Sequence, residues 1–63
     1  MSRGSRQRQY ERAITAMRRA YDALGAIIPE DARSDHTILQ LRRALDEYSS
    51  YLEGATWWRT PDA

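Results

Sequence analysis

The stretch Leu24-Gly25-Ala26-Ile27-Ile28-Pro29-Glu30-Asp31-Ala32-Arg33-Ser34-Asp35 decides the fold, because a helical pattern runs up to it and another resumes after it. Pro29 has no backbone N–H and drives Ile28 out of the helical region, so the first helix is expected to stop near Ile27. Gly25 offers an earlier stop as a left-handed cap. The segment from Pro29 to Arg33 is short, and a short connection folds the next helix back against the first. Ser34 or Asp35 is placed to act as the N-cap of that helix, its side-chain oxygen accepting from exposed first-turn amides.

Upstream of the break, large apolar residues fall at Tyr10, Ile14, Met17, Tyr21, Leu24 and Ile28, in alternating steps of four and three. That spacing is the seam of a packed helix. A second row, Ala13, Ala16, Ala20, Ala23 and Ile27, adjoins it, and small side chains there admit close approach of another helix. Two adjoining seams call for two helical neighbours, one more than a hairpin supplies. Downstream, Ile38, Leu41, Leu45, Tyr48 and Leu52 repeat the alternation, widened by Leu39, Ala44 and Tyr51. Arg42, Arg43, Asp46 and Glu47 form the opposite side. There Arg42 with Asp46 and Arg43 with Glu47 predict one-turn ion pairs of about 0.2–0.5 kcal/mol on a solvated face.

The expected fold class is therefore all-α, a two-helix antiparallel hairpin completed into a four-helix bundle by homodimerisation or by a helical protein partner. A flexible basic arm is assigned to 1–9 and the hairpin to 10–55, with helix 1 at about 10–27, a turn at 28–34 and helix 2 at about 35–53; a tail follows at 56–63. A chain of 63 residues buries little of its surface alone and needs added support. It has no cysteine and one histidine, His36, which removes disulfides, thiol chemistry and conventional zinc sites. Assembly is the support that remains.

No glycine-rich phosphate loop or nucleophile with a base is present, so no enzymatic activity, cofactor, metal or small-molecule substrate is expected. Glu30, Asp31, Asp35 and His36 gather near the turn, where capping and the positive helix end account for them. The absence of a long apolar run predicts no membrane association. A cytoplasmic protein follows, or a nuclear one in a eukaryote, and not a secreted one.

The net charge of +1 conceals an asymmetry. Arg3, Arg6, Arg8, Arg12, Arg18 and Arg19 oppose only Glu11 in the first 19 residues, whereas acids predominate from Ala20 onward. An arginine-rich start of this kind releases counterions from phosphates and predicts salt-sensitive association with DNA or RNA; the competing reading is a solubilising tail or a patch for an acidic protein surface. Arginines near a helix N-terminus oppose its dipole at a few tenths of a kcal/mol each, a cost that use of the charge would explain. Trp57 and Trp58 have two readings as well. Tryptophan beside Arg59 can anchor a partner or stack on a base, or the tail can fold back and staple the open end of the hairpin.

The run Tyr21-x-x-Leu24, Ile28-Pro29, a loop, then Ile38-Leu39-Gln40-Leu41 with Ala44, Tyr48 and Tyr51-Leu52 resembles the dimerisation region of helix-loop-helix transcription factors. The resemblance implies a parallel four-helix bundle with the basic arm in the major groove. Where that family's basic region has a glutamate followed by arginines, this chain has Glu11-Arg12-Ala13-Ile14, so the resemblance is to the dimerising rather than the base-reading part.

The leading functional expectation is a small regulatory or adaptor dimer that associates with nucleic acid through Arg3, Arg6, Arg8, Arg12, Arg18 and Arg19. The alternative is an inhibitor or assembly factor. Its protein interface would draw on Ile14, Met17, Tyr21, Leu24, Ile38, Leu41, Leu45, Tyr48, Leu52, Trp57 and Trp58.

Overall fold

The computed structural model describes residues 3–59, with side chains from Ser5 onward. Helix α1 spans Arg3–Gly25 and helix α2 spans Ala32–Gly54; they pack as a hairpin. Tyr21 meets Arg42, Arg18 meets Glu53 and Tyr10 meets Trp58, which makes the pair antiparallel. The Cα envelope of 51 × 16 × 13 Å is one helix thick. Every side chain therefore lies close to a surface, and the large side chains that are buried are Ile14 (8% exposed) and Trp58 (2%).

The segment read as a flexible arm is helical from Arg3, continuous with the rest of α1. Ser, Arg and Gln cost a helix little, and Gln7 Nε2 donates to Glu11 Oε2 at 3.3 Å one turn on. The helix ends at Gly25, short of Ile27. Ala26 N–H donates to Ala23 C=O and Ile27 N–H to Leu24 C=O, a tightening to three-residue bonds common at helix ends. Gly25 is not in the left-handed region. Its value is space: a β-carbon there would lie 2.7 Å from Arg42 Nη2.

The structure corrects the N-cap. Asp31, with extended backbone (φ −156°, ψ 178°), caps α2 through Oδ1, which accepts from Ser34 N–H at 2.7 Å. Asp31 precedes Ala32 and Arg33, two good helix formers, so starting the helix at Ala32 saves a turn that a cap at Ser34 would leave unformed. The connection shrinks to Ala26–Asp31.

A second correction concerns the face α2 turns inward. Ile38, Arg42, Leu45, Ser49 and Leu52 are buried or half-buried, whereas Leu41 and Tyr48 are exposed, Tyr48 at 64%. Ile28, read as the last seam residue of α1, also lies in solvent beyond the helix end. Arg42 does not pair with Asp46. Its Nε donates to Tyr21 C=O at 3.0 Å and its guanidinium lies 4.0 Å from the centre of the Tyr21 ring. A cation at the last turn of α1 meets both an accepting carbonyl and the negative end of the helix. Ser49, 2% exposed, satisfies its hydroxyl on Asp46 C=O at 3.2 Å within its own helix. Its small side chain lets α1 come close.

The Ser34 amide holds the Asp31 carboxyl below its ordinary pKa. A depressed carboxylate pKa means the cap contributes its full stability above the unfolded pKa and loses it as pH falls through the folded value. Asp31→Ala will lower the melting temperature at neutral pH, and Asp31→Asn will lower it less. The gap between wild type and Asp31→Ala will hold above the ordinary aspartate pKa of about 3.9 and narrow as the pH falls below it. Melting curves across that range check this; a gap unchanged in acid would show that the carboxylate does not cap α2.

Candidate functional site

Three surfaces of different chemistry emerge once the helices are oriented. At 100° per residue, Arg8, Arg12 and Arg19 fall within about 40° of one another on the outer side of α1, directed away from α2. Together with Glu11, Thr15 and Ala16 they line a shallow open depression. From Arg8 to Arg19 the stripe runs about 16 Å along the helix. The arginines are exposed, and Glu11, the one acid of this stretch, lies at the rim with Gln7 as its hydrogen-bond partner.

The other predicted arginines are not part of that stripe. Arg18 lies around the helix toward α2 and pairs with Glu53, both side chains about half-exposed, so the pair contributes little to stability. Arg6 is exposed and its helical position places it on the opposite flank of α1. The Arg3 side chain lies outside the described residues.

The second surface is apolar. In an antiparallel pair the same rotational flank of each helix forms one broad face of the hairpin. On one broad face α1 contributes Ala13, Met17, Ala20 and Leu24, and α2 contributes Leu41, Ala44, Tyr48 and Tyr51. Leu41, Tyr48, Tyr51 and the adjoining Trp57 are about half-exposed or more. The remaining predicted interface residues, Ile14, Tyr21, Ile38, Leu45 and Leu52, turn into the hairpin itself. The third surface, on the opposite broad face, is polar: Arg18, Asp22 and Asp46 border a groove there with Tyr21 and Ser49. Among the described residues no group of His, Asp and Glu is arranged to hold a metal ion, and no helix is long and apolar enough to cross a membrane.

The two tryptophans part company at the open end. Trp58 lies between the Tyr10 ring (centroids 5.6 Å apart, planes 22° from parallel) and the Arg59 guanidinium 4.3 Å from its own ring centre. Its Nε1 donates to Leu52 C=O at 2.8 Å. Arg59 adds two bonds, to Glu53 C=O at 2.7 Å and Ala55 C=O at 3.1 Å. These donors satisfy carbonyls that the end of α2 would otherwise leave open. Trp58 is a staple. Trp57 meets the edge of Tyr10 with centroids 5.2 Å apart, donates to the Tyr51 hydroxyl at 3.2 Å and stays 50% exposed, so it remains accessible to a partner at the margin of the apolar face.

Sequence reasoning assigned Ser49 no role, placed Arg42 in a solvated pair with Asp46 and gave Arg59 only as a neighbour of the tryptophans. Arg59 carried a usable signal, a cation placed just beyond a helix stop. Arg42 and Ser49 carried none, since both act through carbonyls whose availability only the fold reveals.

Comparison with protein-family models, with curated proteins and with solved structures returns no match. The antiparallel hairpin also departs from the parallel bundle that the helix-loop-helix resemblance implies. Six connecting residues reach at most about 20 Å, too short to carry the chain back along a 23-residue helix of about 35 Å.

Trp58→Ala will remove the buried anchor, at about 3–5 kcal/mol, much of the stability of a domain this small. Trp57→Ala will cost well under half as much. Thermal melts of the two variants decide the matter; equal losses would mean that Trp58 is not the staple.

Proposed function

We propose that this chain is a non-enzymatic adaptor that completes a four-helix bundle with a second helical pair and binds nucleic-acid phosphates along the outer side of α1. The observation that carries this reading is the alignment of Arg8, Arg12 and Arg19 on the helix side opposite the hairpin seam. Neither folding nor pairing of the helices uses these side chains. A planar guanidinium suits bidentate contact with phosphate, while Gln9, Thr15 and Ser5 nearby add neutral polar groups of the kind that position a helix on a backbone. This reading takes the three arginines as backbone contacts, which carry no sequence information. Sequence preference is therefore expected to be weak, with duplex DNA and RNA both bound.

A second reading rests on a separate observation, the exposure of Leu41, Tyr48, Tyr51 and Trp57 on one face. In it the hairpin is an inhibitor or assembly factor and that face receives a foreign helical protein. The two readings use different surfaces and respond to different substitutions.

Three phosphate contacts per chain predict that log K for duplex DNA falls with log salt at a slope of about −2.7, and that each Arg→Gln change at Arg8, Arg12 or Arg19 removes about 0.9 from it. Fluorescence anisotropy over a salt series, with circular dichroism to confirm unchanged helicity, measures this. Absent binding, or binding indifferent to salt, would overturn the nucleic-acid reading and leave the protein-binding one.

A further inference from the structure

The geometry points to a second copy of this chain as the occupant of the apolar face, related by a two-fold axis that lies in the interface perpendicular to the helices; this rests on the proposed completion of a bundle. In that arrangement α1 packs antiparallel on α1 of the partner, α2 on α2, and the turn of each copy covers the open end of the other. A two-fold contact must be self-complementary, and the face has that property. Ala13 and Leu24 are equidistant from a point between Arg18 and Arg19, and so are Met17 and Ala20. Reversing α1 about that point sets each alanine against a large side chain of the other copy. On α2, Ala44 and Tyr51 are equidistant from a point between Glu47 and Tyr48, so reversal again sets small against large and brings Tyr48 beside its own counterpart. Because Tyr21 meets Arg42 and Arg18 meets Glu53, the two midpoints lie at nearly the same height. One axis serves both helices.

Charge selects the same orientation. The open end carries Arg6, Arg8, Arg12 and Arg59 against Glu11 and Glu53 and is net positive, whereas the turn end carries Asp22, Glu30, Asp31 and Asp35 against Arg33, Arg42 and Arg43 and is net negative. Turn over open end sets opposite signs together; turn over turn would set like signs together at both ends. The area suffices too. Two helices about 35 Å long with axes about 9 Å apart offer a footprint on the order of 600 Å² per copy, or about 1,200 Å² in all, the lower end of specific interfaces. The polar broad face, with Arg18 paired to Glu53, has neither the apolar area nor the symmetry. The arginine stripe stays outside the contact, so two stripes would be displayed on one particle.

The test uses the full chain, which has no native cysteine. Sedimentation equilibrium over a concentration series should return twice the 7.3 kDa of the single chain, and Ala20→Glu, which puts a charge into the contact without touching the hairpin seam, should abolish the dimer. Tyr48→Cys should then form a covalent dimer with a short bifunctional thiol reagent, while Leu39→Cys, on another side of α2, should not. A dimer in which Tyr48→Cys fails to link to itself but links to Met17→Cys in a mixed sample would overturn this orientation in favour of turn over turn. A chain that is monomeric and poorly helical at every concentration would overturn self-pairing and leave a foreign partner. A monomer with full helicity would overturn the need for any completing surface, and with it the bundle reading.

Discussion

Two helices side by side cannot surround a side chain, and the structure follows from how this chain lives with that constraint. Burial between two cylinders is confined to a strip, so Ile14 is the one large seam residue of α1 that reaches near-complete burial. The small Ser49 narrows the gap. At the open end the chain supplies a third layer from its own tail: Trp58 enters between Tyr10 and Arg59, and Trp58 and Arg59 donate to the carbonyls at the end of α2. At the other end Arg42 reaches across to the last turn of α1 through the space beside Gly25, and Asp31 caps the start of α2. The ends are tied by directional polar contacts because the apolar strip between them is too narrow to do it.

The same constraint sorts the surface. With so little interior, apolar residues in excess of the strip must remain outside: Leu41, Tyr48 and Tyr51 share one broad face, while Ile27, Ile28 and Leu39 are exposed near the turn. Charges occupy the rest, with Arg8, Arg12 and Arg19 on the outer side of α1. A protein that separates an apolar face from a basic one keeps two binding events from competing. That separation supports the proposed division, in which one surface completes the helical layer and the other meets phosphates.

The hairpin itself was legible, because Pro29 interrupts a long apolar periodicity and the connection is short. Positions on α1 followed from the steps of four and three, since a single strong row runs from Tyr10 to Leu24. On α2 the apolar row is broad, and its centre cannot be read from spacing when a long cation can turn inward: Arg42 finds a carbonyl and an aromatic ring on the neighbouring helix, which rotates Leu41 and Tyr48 outward. The arginine cluster read as a unit is divided by the helical turn. Arg8, Arg12 and Arg19 share a side, Arg18 is drawn to Glu53, and Arg6 lies on another flank. The N-cap was misplaced because Asp31 earns that position through its extended backbone, a property set by the turn as a whole.

The central claim is that the middle of the hairpin is stabilised from outside the chain while its ends are stabilised from within. Amide hydrogen exchange, followed residue by residue by NMR at low and high protein concentration, tests it most directly. The account predicts that protection of the amides around Met17 to Ala20 and around Ala44 to Tyr48 rises with concentration. Protection that is independent of concentration throughout both helices would contradict it.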